Sequence, residues 1–142
     1  MKLEAHFFFI ALVSLFFTSC QKDLNYENSE FKNGILVSRE NQRPVSGDWV
    51  EVKNGRVLSV GRFEEGKHEG VFKSFRPDGS LSDSVSYMNG NKHGIEVHYD
   101  STAVKKMEIP YLLGKENGIV REYSDYGYLV QETSFKLGVK PG

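Results

Sequence analysis

The sequence predicts an all-β fold in which tandem antiparallel β-hairpins form one elongated, twisted sheet. The first observation is a 24-residue period that holds in four separate registers of the 142-residue chain. The second is the composition, because 14 glycines and 13% aromatic residues accompany only 39% apolar residues, which is typical of many short strands and turns. The third is the recurrence of turn-forming residues between strand-like segments. A chain of this length has room for one domain.

The N-terminal segment has the pattern of a signal peptide. Residues 7–17 form an almost unbroken apolar run, about half as long as the ~20 residues that a membrane-spanning helix needs. Ser19 is small, as signal cleavage requires, and Cys20, the single cysteine of the chain, follows directly. We therefore expect residues 1–19 to be a signal peptide that is cleaved between Ser19 and Cys20. The alternative is a plain secretory signal with an accidental cysteine.

Thr18-Ser19-Cys20 resembles the lipobox of bacterial lipoproteins. The resemblance implies diacylglycerol and an acyl chain such as palmitate on Cys20, no other cofactor, and a lipid-anchored place in the cell envelope, expected at the outer membrane. Two or three acyl chains anchor a protein firmly, since each buried methylene contributes about 0.8 kcal/mol. Residues 20–30 are then expected to be the lipidated cysteine and a flexible tether. Gln21-Lys22-Asp23 resembles the export signal of Bacteroidetes surface lipoproteins, and an ordinary solvated linker is the equal alternative.

The repeat unit reads aromatic-x-x-Gly-x-x-x-Gly, followed by a strand, a turn and a second strand. We expect its aromatic residues to stack between neighbouring hairpins as a ladder, with Tyr111 buried, and its glycines to permit tight chain reversals. The residues in these registers are Phe63, Tyr87, Tyr111 and Phe135, then Gly66, Gly90, Gly114 and Gly138, then Gly70, Gly94 and Gly118.

The turn inside each hairpin has its own signal. The second and fourth copies place Gly79 and Gly127 in the turn, whereas the third copy has Ala103. Alanine disfavours positive φ, which predicts a distorted third turn. The first copy is one residue shorter around Asn54-Gly55, as a type I′ turn requires. We assign residues 47–142 to the repeat domain and residues 31–46 to an N-terminal capping segment.

The repeats resemble the bacterial variant of the MORN repeat that is found in YwqK-type proteins. The residues that carry the resemblance are Tyr87-Met-Asn-Gly90-Asn-Lys-His-Gly94 and their equivalents at 63–70 and 111–118, and it covers roughly residues 42–142. It implies an elongated sheet of successive hairpins. It also implies an antitoxin-like role, which many YwqK-type proteins are given, or binding to phospholipid.

The sequence offers no pattern that predicts catalysis or a metal site. His68 and His93 lie in loops between repeats at positions that differ by one, so we interpret them as solvated turn residues rather than metal ligands. His98 lies on a strand with no evident partner. No nucleophile or phosphate-binding motif is present, and the formal charge of −1 disfavours nucleic acid as a partner. We expect a protein that is not an enzyme.

The expected function is that of a membrane-anchored interaction module for a protein or glycan partner, with toxin neutralisation and phospholipid binding as alternatives. The even charge disfavours the last of these. Exposed aromatic residues form the candidate surface, and the alternative is that these rings fill the thin core of the sheet. Residues 128–135 are expected to form an edge strand for self-association or for a partner's strand, unless twist and the short tail protect that edge. The candidate aromatic residues are Trp49, Phe72, Phe75, Tyr99, Tyr123, Tyr126 and Tyr128.

Overall fold

A computed structural model describes residues 24, 25 and 27–141, and all regular elements in this part of the chain are strands. No helix long and apolar enough to cross a membrane occurs among these residues. The strands are β1 (Ser29–Lys32), β2 (Ile35–Ser38), β3 (Gly47–Lys53), β4 (Arg56–Glu64), β5 (Lys67–Phe75), β6 (Leu81–Met88), β7 (Asn91–Tyr99), β8 (Lys105–Leu112), β9 (Lys115–Glu116), β10 (Gly118–Tyr123) and β11 (Leu129–Phe135).

Nine of these strands form one open antiparallel sheet. Its order is β3-β4-β5-β6-β7-β8-β10-β11, and the short strand β9 also pairs with β8. Strands β1 and β2 form a separate two-stranded hairpin. Each long strand pairs with the next one along the chain, so the sheet is a meander of successive hairpins. The predicted all-β array of hairpins is confirmed.

A bulge recurs where one hairpin meets the next. Between Val60 and Arg62, β4 advances by two residues, while β5 advances by four, from Lys73 to Glu69. The pairing of β6 with β7 shifts in the same way. The second glycine of the repeat lies in the bulge, and Gly70 has φ +71° there, a conformation that glycine adopts without steric cost.

The first glycine of each copy completes a tight turn and ties that turn to the copy before it. Gly90 and the preceding Asn89 have φ values of +81° and +51°, as a type I′ turn requires. The backbone N–H of Gly90 donates to the carbonyl oxygen of His68 at 2.9 Å, and that of Gly114 donates to Lys92 at 2.8 Å. These hydrogen bonds join neighbouring copies in addition to the strand pairing.

The third hairpin turn keeps the geometry of the others. Ala103 adopts φ +61°, and its N–H donates to the carbonyl oxygen of Asp100 at 3.1 Å, as Gly79 does to Arg76 at 2.9 Å. The Asp100 carboxylate also accepts the N–H of Thr102 at 2.8 Å. Such side-chain to backbone bonds offset the strain of a Cβ atom at positive φ. The predicted distortion is therefore wrong.

Leu24 closes the β3 edge of the sheet. Its N–H donates to the carbonyl oxygen of Asp48 at 2.9 Å, and its own carbonyl accepts the N–H of Val50 at 3.2 Å. The Leu24 side chain is buried, with 7% exposed. Leu24, which lies inside the segment predicted to be a tether, is thus already part of the fold. Cys20 and the rest of residues 1–23 lie outside the described residues.

The hydrophobic core lies at the same end of the sheet. Leu24, Leu36, Trp49 and Phe63 form a buried cluster, against which Phe72 packs. The Phe63 ring is 5.6 Å from Trp49 and 5.3 Å from Phe72, edge to face in both cases, an arrangement that aromatic pairs favour. Packing is therefore densest where the β1–β2 hairpin meets the first repeats.

Candidate interaction surface

A ladder of rings runs across one face of the sheet through the aromatic repeat position. The His68 ring lies 4.5 Å from Phe63 and 4.8 Å from Tyr87. One copy later, the Lys92 ammonium lies 4.8 Å from the centroid of Tyr111, a cation–π contact. Phe63 is fully buried, but Tyr111 is only partly buried. The expectation that Tyr111 is buried between hairpins is met only in part.

Neither histidine of the repeat loops is a solvated turn residue. His68 packs among aromatic rings, and burial lowers the pKa of its imidazole. The Nδ1 atom of His93 is buried and has no hydrogen-bond partner among the residues that the structure describes. The type I′ turn occupies only two residues, so both histidines belong to strands and the interpretation as turn residues is wrong. The described residues contain no group of three acidic, histidine or cysteine side chains arranged for a metal ion.

His98 belongs to a polar chain that joins β6 to β7. Its Nδ1 lies 2.6 Å from Oδ1 of Asp83, directly across the pair of strands. Its Nε2 lies 3.6 Å from Glu96, whose carboxylate also accepts the Lys92 ammonium at 2.6 Å. Glu96 is 7% exposed, so its charge is paired within the sheet, as buried charges require. Sequence reasoning missed this chain because the bulge changes the register.

Two of the candidate aromatic residues are part of the core. Trp49 is 3% exposed, and its indole N–H donates to the Ser59 hydroxyl at 3.0 Å. Phe72 packs against the buried cluster. The Trp49 ring is therefore not available on a surface, and its inclusion in the candidate surface is wrong, whereas Phe72 is only partly buried. Both rings belong to the buried cluster or pack against it, as the alternative reading of the aromatic residues expected.

Three further candidates end strands and are partly buried, namely Phe75, Tyr99 and Tyr123. The Tyr123 hydroxyl donates to the Glu108 carboxylate at 2.8 Å. The Lys105 ammonium lies 4.5 Å from the centroid of the Tyr123 ring and 2.7 Å from Glu108. The contacts with Glu108 and Lys105 thus hold the Tyr123 ring within the sheet, so it offers a partner less surface than a fully exposed ring would.

The remaining two candidates belong to a run of exposed, largely apolar residues at the turn between β10 and β11. We call it the Tyr126 patch; it comprises Tyr126, Tyr128, Leu129 and Val130, which are 85%, 73%, 50% and 64% exposed. The equivalent residues of the second copy are Asp78, Ser80, Leu81 and Ser82. Three polar positions have therefore become apolar in the fourth copy. This departure from the repeat identifies Val130, which the sequence analysis, like Leu129, placed in the edge strand 128–135 but not in the aromatic surface.

The opposite face of the sheet carries a row of exposed β-branched residues. Val71, Ile95 and Ile119 each follow a bulge glycine and are 51%, 52% and 41% exposed. Val71 lies opposite Ser86, and Ile119 lies opposite Ser134, so small neighbours leave the aliphatic side chains uncovered. Since adjacent strand residues point to opposite faces, this row is separate from the ring ladder.

Comparison of the chain with protein-family models, with curated proteins and with solved structures finds no match. The geometry therefore defines the architecture of this chain and no particular family. The described residues form an open array of hairpin repeats with a core at one end and the Tyr126 patch near the other.

Proposed function

We propose that this chain is a lipid-anchored, non-enzymatic interaction module of the cell envelope, and that the Tyr126 patch binds its protein or glycan partner. The patch is the observation that carries the proposal. Its two tyrosines are 85% and 73% exposed, and aliphatic residues adjoin them. Tyrosine combines a large apolar ring with a polar hydroxyl, which is why it is enriched at the centres of binding sites.

The position of the patch supports a partner that lies away from the bilayer. Cys20 precedes Leu24 by four residues, so an anchor on Cys20 holds the β3 edge within about 14 Å of the lipid. The patch lies at β11, seven strand spacings from β3, or about 34 Å at ~4.8 Å per spacing. A short anchor at one end and an apolar patch at the other suit capture of a partner in the envelope.

Anchoring is tested by changing the lipid-accepting cysteine. The variant Cys20→Ala is expected to lose acyl labelling and to leave the detergent phase in phase-partitioning experiments, because thioether linkage requires the sulfur atom. The wild-type chain, expressed in the same strain, is the control. Unchanged partitioning of the variant would contradict the lipid anchor.

Partner binding is tested by proximity labelling on intact cells. The double variant Tyr126→Ser, Tyr128→Ser should lose the labelled partner, because it removes the two exposed rings. A matched control is Val52→Ser, Val57→Ser, since these residues are also exposed, at 56% and 42%, but lie on the β3–β4 hairpin. Equal labelling by both double variants and the wild-type chain would contradict a role for the patch. A toxin among the patch-dependent proteins would favour the antitoxin-like alternative.

A further inference from the structure

Strand β11 occupies the same repeat position as β6 and β8 but has fewer neighbours. β6 pairs with strands on both sides, and so does β8. β11 pairs with β10 along its length. On its other side, the described residues contribute only the bridge between Lys136 and Val139. The backbone groups of β11 that point away from β10 therefore lack most of the pairing that the equivalent strands have.

The side chains of β11 show the consequence. Every residue of β6 is partly buried, whereas the first four residues of β11 are all exposed. A shallow recess of about 300 Å³ lies along the outer side of β11, between Gln131–Ser134 and the residues Lys140 and Pro141. An exposed strand edge of this kind is a template for another extended chain.

We propose that the outer edge of β11 binds an extended segment of another protein, which adds to the sheet as an antiparallel strand. The inference rests on the proposed interaction role and names the chemistry of the partner. The strands that fill the equivalent position in earlier copies give the expected pattern, Gly-(Val/Ile)-x-x-x-(Phe/Tyr). They read Gly-Val-Phe-Lys-Ser-Phe, Gly-Ile-Glu-Val-His-Tyr and Gly-Ile-Val-Arg-Glu-Tyr, over residues 70–75, 94–99 and 118–123.

The repeat also defines the register of the added strand. On β8, Glu108 pairs with Arg121 of β10, and Met107 pairs with Glu122. The residues 24 positions later are Glu132 and Gln131, which are therefore the centre of the binding edge. Main-chain hydrogen bonds supply affinity in this mode of recognition, and alternate side chains supply specificity.

A second copy of this chain fits the edge less well. Head-to-tail addition would use the β3 edge, where Leu24 already makes hydrogen bonds of 2.9 Å and 3.2 Å to β3. Antiparallel pairing of two β11 strands over residues 129–134 would place Glu132 of each copy opposite Gln131 of the other, without the opposite charge that Arg121 places across from Glu108 in the earlier copy. A strand from a different protein avoids both problems.

The test uses the full chain, purified in mild detergent, and a fluorescent peptide with the sequence of residues 117–124, Asn-Gly-Ile-Val-Arg-Glu-Tyr-Ser. Fluorescence polarisation should show saturable binding, and a scrambled peptide should bind at least tenfold more weakly. Two further peptides carry N-methyl groups on alternate amides. Methylation of the amides that face β11 should abolish binding, and methylation of the amides that face away should not. The reason is that alternate amides of a strand point to opposite sides.

On the protein side, the variants Glu132→Pro and Thr133→Pro each remove one backbone donor. Neighbouring donors point in opposite directions, so only one of the two faces away from β10. The variant that removes this donor should melt like the wild-type chain and lose at least tenfold in peptide affinity. No saturable binding, or equal binding of both methylated peptides, would overturn the proposal. A concentration-dependent dimer in sedimentation, abolished by the same proline, would overturn it in favour of self-association. Patch-dependent proximity labelling can persist in either case, so failure here is distinguishable from failure of the proposed function.

Discussion

Leu113 is an exposed leucine in a backbone conformation that leucine disfavours, and replacing it should stabilise the protein. Its φ is +48°, and the equivalent residue of the preceding copy, Asn89, has φ +51°. A non-glycine residue pays roughly 1–2 kcal/mol in the left-handed region, and asparagine pays less. Leu113 is 61% exposed, so Leu113→Asn loses only about 0.5 kcal/mol of apolar burial. The net gain is about 0.5–1 kcal/mol.

Chemical denaturation of the two chains measures this gain directly. The midpoint for Leu113→Asn should rise with an unchanged m-value, and the melting temperature should rise by about 2–5 °C. The reverse change, Asn89→Leu, should lose a similar amount. Leu112→Asn is the matched control, because Leu112 lies on β8 and is 38% exposed. If Leu113→Asn destabilised the protein as much as Leu112→Asn, the argument from backbone strain would be refuted.

Three further predictions concern the turns, the core and pH. Ala103→Gly should raise the free energy of unfolding by about 0.5 kcal/mol, since relief of positive φ exceeds the entropic cost of glycine; a loss in urea denaturation would contradict this. Phe63→Ala should cost about 3–5 kcal/mol, because Phe63 is 1% exposed, whereas Phe135→Ala at the other end of the ladder should cost clearly less; equal losses would refute a core at one end. Burial lowers the pKa of His68, so the unfolded chain binds more protons and stability should fall as pH drops below about 6.5. His68→Phe should flatten this fall in denaturation curves between pH 7 and 5, and an unchanged pH profile would count against it.

The period and turn residues were enough to predict the hairpin array, because both are local signals. The I′ turns at Gly66, Gly90 and Gly114 follow from glycine's tolerance of positive φ. Ala103 shows the limit of this reasoning. Its turn is rescued by hydrogen bonds to the Asp100 carboxylate, and such compensation depends on side-chain placement that propensity alone does not supply.

The polar chain around His98 could not be predicted for a different reason. A regular hairpin around the turn at Asn89 and Gly90 would place Glu96 opposite Asp83. The bulge adds two residues to β7, which moves His98 into that position. A change in register exchanges cross-strand partners, and nothing in the spacing of the glycines shows that the second glycine lies in a bulge. The half-buried ion pairs of the sheet were therefore hidden from the sequence.

The distribution of packing along the sheet has a consequence for binding. In repeat proteins each unit is stabilised mainly by its immediate neighbours, so units far from the densest packing open most readily. Here the buried cluster of Leu24, Leu36, Trp49 and Phe63 lies beside β3, whereas β11 has one paired strand within the described part of the chain and mostly exposed side chains. A strand added at β11 would supply the missing neighbour. Peptide binding should therefore slow amide hydrogen exchange most strongly in β10 and β11 and least in β3 and β4, since the core already protects the latter pair.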